Sequence, residues 1–197
     1  MRLMLKIIIT FSLVFSQFSY AGEKLKVNNE LFDLGLTAGT LSVEDFPTEI
    51  ISGFNATFRA TEDFFLQYNY FQTELGQSSL ESNPVSETLA IGGGRKVKHF
   101  GLLVGYSLFQ GEFFSSRSST GAHMSALNIV TGIGDTHLGE EENFTFTFGF
   151  GYQIEFYRKY VVRFDYRNHT YETTLIQGED TEKAHATQMS VSGSWLF

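Results

Sequence analysis

Met189-Ser-Val-Ser-Gly-Ser-Trp-Leu-Phe197 alternates strictly, with Met189, Val191, Gly193, Trp195 and Phe197 on one side of an extended chain and Ser190, Ser192, Ser194 and Leu196 on the other. Side chains of a strand point alternately to its two faces, so this run carries one apolar face and one small, mostly polar face. The sequence ends there, on an aromatic residue.

Seven further segments share the period. Working back from the terminus, Tyr160 to Tyr171 sets Val162, Phe164 and Tyr166 against Arg163, Asp165, Arg167 and His169. The segment before it is the cleanest, opposing Phe144, Phe146, Phe148, Phe150 and Tyr152 to Thr145, Thr147, Gly149, Gly151 and Gln153. Ser125 to Gly134, His99 to Leu108, Phe64 to Thr73, Ser52 to Ala60 and Phe32 to Ser42 complete the set. Each is about the nine to eleven residues a tilted strand needs to cross a bilayer.

The connections alternate as well. Thr61–Asp63 and Glu155–Lys159 are short; Val43–Ile51, Glu74–Lys98, Asp135–Asn143 and Glu172–Glu182 are longer or more acidic. Phe109 to Met124, rich in Ser and Gly and carrying Arg117, exceeds a simple turn.

At the other end, residues 1–21 have a basic start (Arg2, Lys6), an apolar run from Ile7 to Phe15 and a small-x-small pattern at Ser19-Tyr20-Ala21. The run is too short for a spanning helix, so 1–21 is expected to be a cleaved secretory signal and 22–197 the mature domain. Cleavage would leave 12 basic against 22 acidic residues, a net charge near −10, which argues against a nucleic-acid partner. With no Cys there are no disulfides, thiolate ligands or cysteine nucleophiles. Aromatics at 16% and 19 glycines stand beside only two prolines, and mean hydropathy is near zero. Strands that cross a membrane hide their hydrophobicity in every second residue, so that value does not exclude spanning.

A soluble sandwich also alternates, but its polar face meets bulk water and is usually rich in Lys and Glu. Here the polar faces are largely Gly, Ser, Thr, Asn and Gln, suited to a crowded interior. Unpaired backbone groups cannot sit in lipid, so a spanning sheet must close. The expected fold is all-β: an eight-stranded antiparallel transmembrane up-and-down barrel, its interior just wide enough for side chains to fill. Tyr70, Tyr106, Tyr152, Tyr160 and Trp195 fit interface girdles.

The inward charges Asp33, Arg59, Arg163, Asp165, Arg167 and His169 are expected to form a paired network plugging the lumen. A proton or ion path, and with it a narrow channel, is the alternative. No catalytic, cofactor or metal site is expected. A rim-active lipid-modifying enzyme would draw on His137, His169 and His185 with Asp135, Glu172 or Asp180, but no compact motif joins them. Glu140-Glu-Glu142 beside Asp135 and His137 reads as a solvated acidic loop rather than a cation site. Arg95, Lys96 and Lys98 are the candidate contact for lipopolysaccharide phosphates.

Several stretches carry a resemblance: Phe32-Asp-Leu-Gly-Leu-Thr-Ala-Gly39 with Glu44-Asp-Phe46, Thr61-Glu-Asp-Phe-Phe65, Gly105-Tyr-Ser-Leu-Phe-Gln-Gly-Glu112, Phe148-Gly-Phe-Gly-Tyr152 and Arg163-x-Asp-x-Arg-Asn-His169. Across almost the whole mature chain they resemble the small outer-membrane β-barrel domain family of Gram-negative bacteria, similar to the membrane domains of outer membrane proteins A and X. Met189, Val191, Gly193, Trp195 and Phe197 resemble the terminal signal read by the barrel-assembly machinery. The resemblance implies an outer-membrane location among lipid and lipopolysaccharide, with periplasmic or envelope-complex proteins, including gliding-motility complexes, as partners. It implies a structural or partner role and brings no catalytic motif. A closed barrel resists unfolding in detergent until boiled, so the protein is expected to migrate differently on gels before and after boiling; identical migration would contradict closure.

Overall fold

The computed structural model describes residues 31–43, 46–76, 96–114, 122–139, 141–173 and 182–197. The expected signal segment and the tips of the longer connections lie outside these residues. Eight strands follow in order: β1 (Phe32–Val43), β2 (Glu49–Arg59), β3 (Phe64–Glu74), β4 (Lys96–Phe114), β5 (Ala122–Leu138), β6 (Glu141–Phe156), β7 (Tyr160–Thr173) and β8 (Glu182–Leu196). Each pairs antiparallel with its neighbours in sequence, and β1 pairs with β8 from Asp33↔Leu196 to Val43↔Ala186, closing an up-and-down barrel. No strand is left with a bare edge inside the closed region, which is what lipid demands of a spanning sheet.

The faces are reversed relative to a soluble sandwich. Leu36 is 76% exposed and Ile50 77%, while Asp33 and His99 are fully buried. Phe144, Phe146, Phe148 and Phe150 all point outward, and Thr145 and Thr147 point into the lumen. A contiguous apolar exterior on a filled polar interior is the signature of an outer-membrane-type barrel. Aromatic pairs sit directly across strands, with ring centroids 4.8 Å apart for Phe64–Tyr106, 5.0 Å for Tyr160–Trp195 and 4.9 Å for Tyr70–Phe100.

Strand ends depart from expectation. The Phe109–Met124 link is mostly strand, because β4 runs on to Phe114 and β5 begins at Ala122. A bulge between Ser107 and Phe109 redirects the chain there, leaving Leu108 and Phe109 both exposed. The expected Asp135–Asn143 loop shrinks to a tight turn at Gly139, whose φ of 63° suits glycine. Glu155 belongs to β6 rather than to the turn after it. Apolar character was too sparse at these ends to separate strand from loop.

We call the end where β1 starts and β8 finishes the proximal end. There β6 and β7 are joined by a three-residue turn, 157–159, with Tyr157 at φ 52° and Arg158 at φ 56° and Lys159 N donating to Phe156 O at 3.1 Å. That turn asks two non-glycine residues to adopt left-handed backbone. Tyr157 packs edge-on against His123, with centroids 5.6 Å apart, which holds the first position in place. Arg158→Gly is therefore expected to stabilise the barrel by about 1 kcal/mol, read as a higher urea midpoint in lipid vesicles.

Candidate functional site

The lumen is where the sequence-predicted charges meet. Arg163, on β7, donates from Nη1 and Nη2 to Asp33 Oδ1 and Oδ2 of β1 at 2.8 and 2.6 Å. Their side chains are 4% and 0% exposed, and their separation in sequence is bridged only because β7, β8 and β1 are neighbours in the closed sheet. Gln153 and Ser194 accept further bonds from the same guanidinium at 3.3 Å each. Such a fork-to-carboxylate pair satisfies both ions at once, the condition under which buried charges persist.

Arg167 lies four residues farther along β7. It donates to Gln67 Oε1 at 3.0 Å and pairs with Asp165 at 3.1 Å. Arg59 pairs at 3.1 Å with Glu155, a lumenal acid that the sequence alone places in a turn. Extending the inward period of β6 from Thr145 through Gln153 reaches Glu155, so the signal was present.

His169 was also a rim candidate, and that placement is corrected. It is buried at 1% exposure, 4.6 Å from the ring of His99, a second lumenal histidine that sequence reasoning passed over. The hydrogen bonds around these rings form chains. Thr145 donates to Asn143 O, so Thr136 donates to Thr145 and accepts from His99 Nδ1–H. Gln188 donates to Ser190, so its Oε1 accepts from His169 Nε2–H, while His169 Nδ1 accepts from Thr147. Both nitrogens of His169 are thus engaged as structural partners.

Toward the distal end the lumen turns apolar. Leu41, Val43, Ile51, Phe71, Leu75, Val97, Leu138, Tyr171, Ala184 and Ala186 form one buried cluster. Phe71 stacks on His99 at 4.9 Å, joining this cluster to the polar layer beneath. The sequence suggests a lumen largely of small polar and charged residues, with Phe71, Leu103 and Val130 among the inward positions. The layer is hard to read from sequence because Val43, Ile51, Leu75, Val97 and Leu138 lie in stretches that read as connections, although Leu41 and Val43 continue the inward period of β1. Phe65, Leu103 and Val130 form a second apolar patch, its room made by Gly105, where an added Cβ would run into the Phe65 ring.

Outside, the remaining rim residues do not converge. His137 of β5 lies 3.4 Å from Glu142, and His185 of β8 lies 3.2 Å from the Thr170 hydroxyl. Asp135 is exposed on β5, the strand of His137, and Glu172 is exposed on β7, while Asp180 and Glu140 fall outside the described residues. Among the described residues, no cluster of three His, Cys, Asp or Glu side chains is placed to hold a metal. Lys96 and Lys98 are exposed at the distal end of β4, Lys96 at 3.7 Å from Glu74; Arg95 lies outside the described residues.

No protein-family model matches the chain, and no curated protein matches it in sequence. Solved structures similar in shape include the outer membrane protein AlkL in lipid bilayers, at 11% identity and TM-score 0.49 over 91% of this chain and 95% of that one. Neisserial surface protein A is similar at 10% identity and TM-score 0.46, over 86% of this chain and 98% of its own. The N-terminal barrel domain of Pseudomonas aeruginosa OprF gives 8% and 0.42, over 84% and 97%.

Breaking the central pair leaves one ion buried without its partner. Asp33→Asn is expected to cost about 3–5 kcal/mol in urea unfolding from vesicles, and Asp33→Leu combined with Arg163→Met to recover most of it. A double variant no better than the single one would show that the pair is not the unit of stability.

Proposed function

We propose that the chain is exported through a cleaved signal at residues 1–21 and that residues 22–197 are inserted into the bacterial outer membrane by the barrel-assembly machinery. Met189, Val191, Gly193, Trp195 and Phe197, which all face outward on or just after β8, are the segment that machinery would read. The proximal end then faces the periplasm and the longer connections face outward, the usual arrangement for such barrels. Lys96 and Lys98 lie at the level where lipopolysaccharide phosphates would be met, and Arg95 precedes them in sequence.

In that membrane the protein works as a closed structural element or as the embedded partner of an envelope complex. The observation that carries this reading is the filled lumen. The Asp33–Arg163 pair, the His99–His169 layer and the Leu41–Ile51–Phe71 cluster occupy successive levels of the interior. A pore would need a continuous wet path past all three, and eight strands leave little width for one. The long β4–β5 hairpin supports the partner role, since it carries exposed Leu108 and Phe109 past the point where β3 stops pairing.

The full chain reconstituted in planar bilayers is expected to give no stepwise conductance. Stable unitary steps would replace the closed reading with a channel.

A further inference from the structure

Two unfilled hydrogen-bonding features lie side by side at the proximal end. The first is a cleft at the mouth of the lumen with room for about 40 Å³, partly open to solvent. Phe65, Met124 and Ala126 supply an apolar wall, and Thr57 and Arg59 a polar one. Thr57 is 2% exposed, yet among the described residues its Oγ1 has no hydrogen-bond partner, and neither does the buried Nη2 of Arg59. Buried polar atoms are nearly always paired, so two such donors lining one cleft mark a place for an acceptor brought from outside. The ions around it already cancel, Arg59 against Glu155 and Arg163 against Asp33, with Glu62 at the rim. An anion would add uncompensated charge there, whereas a neutral carbonyl oxygen satisfies the donors without doing so.

The second feature is the edge of β4. Pairing with β3 stops at Phe64↔Tyr106. Ser107 N then donates to Asp63 O at 2.8 Å, and the Gln110 side chain to Glu62 O at 2.9 Å. Beyond that, among the described residues, no strand pairs with this edge, although the opposite edge holds β5 as far as Phe114↔Ala122. An open edge is a template for an added strand. Gln110 belongs to both features, lining the cleft and lying on the edge.

Among ligands that offer a neutral carbonyl, the edge selects a polypeptide over a glycan, because only a main chain continues a β ladder. We propose that the proximal mouth receives an extended segment of a periplasmic protein. The segment adds to β4 along Leu108–Glu112 and seats one amide carbonyl on Thr57 Oγ1 and Arg59 Nη2. This rests on the envelope-partner reading above and states where that partner is held and by what part of itself.

The test places photoreactive p-benzoylphenylalanine at Phe109 or Glu112 of the full chain in cells, with Tyr157 and Lys98 as reference positions. Adducts at positions 109 and 112 are expected to map by mass spectrometry to one segment of one protein. A synthetic peptide of that segment should bind the purified barrel in lipid nanodiscs. Thr57→Val should weaken that binding roughly tenfold, leave the melting temperature of the empty barrel unchanged or higher, and be rescued by Thr57→Ser. Binding indifferent to Thr57→Val, adducts to glycan alone, or protein adducts only at Tyr157 or Lys98 would overturn the inference and leave the partner reading standing. No adduct at any position would overturn both.

Discussion

Backbone amides and carbonyls cannot be left unpaired in a lipid interior, and everything else in this molecule follows from that constraint. It requires the sheet to close, and closure joins β1 to β8. Once the sheet closes, each strand has a fixed inner and outer face, so alternate residues take opposite solvents along the whole chain. The exposed Leu36 and the fully buried Thr37 neighbour Asn55 express one rule: lipid outside, a small crowded volume inside.

That inner volume is too narrow for bulk water and too polar to be left dry without order. It is organised in layers. Apolar side chains fill the distal level, imidazoles and hydroxyls the next, and ion pairs the levels below. Each layer is built from strands far apart in sequence, so the ion pairs brace the barrel across its diameter. Arg59 reaching Glu155 from β2 to β6 is such a brace, since those strands are never neighbours in the sheet, and the Arg167–Gln67 hydrogen bond from β7 to β3 adds another.

Much of this was legible beforehand because period two is a strong signal and the polar faces had the wrong composition for water. The eight strands and their order could be read from alternation, and the structure buries Asp33, Arg163, Asp165, Arg167 and His169 on the inward face. What alternation does not fix is where a strand ends. Glu155, Ile51 and Leu138 sit on strand ends that looked like loops, and that error concealed the distal apolar layer and the partner of Arg59. Pairing across the barrel was equally hidden: no local pattern in the sequence announces that Arg163 meets Asp33 rather than Glu155. His169 was misplaced for a related reason, because its height along β7 depends on register, which only the neighbouring strands determine.

The closing seam has a kinetic meaning. Joining Tyr160 to Phe156 closes a loop of a few residues, whereas joining Leu196 to Asp33 closes one of more than 160. The entropic cost of the latter is larger by about 3 kcal/mol, so hairpins such as β6–β7 form early and the β1–β8 seam forms last. The terminal strand is therefore the latch of the assembly. Until it engages, the chain is an open sheet with two raw edges, which is the state a membrane-insertion catalyst would have to shelter.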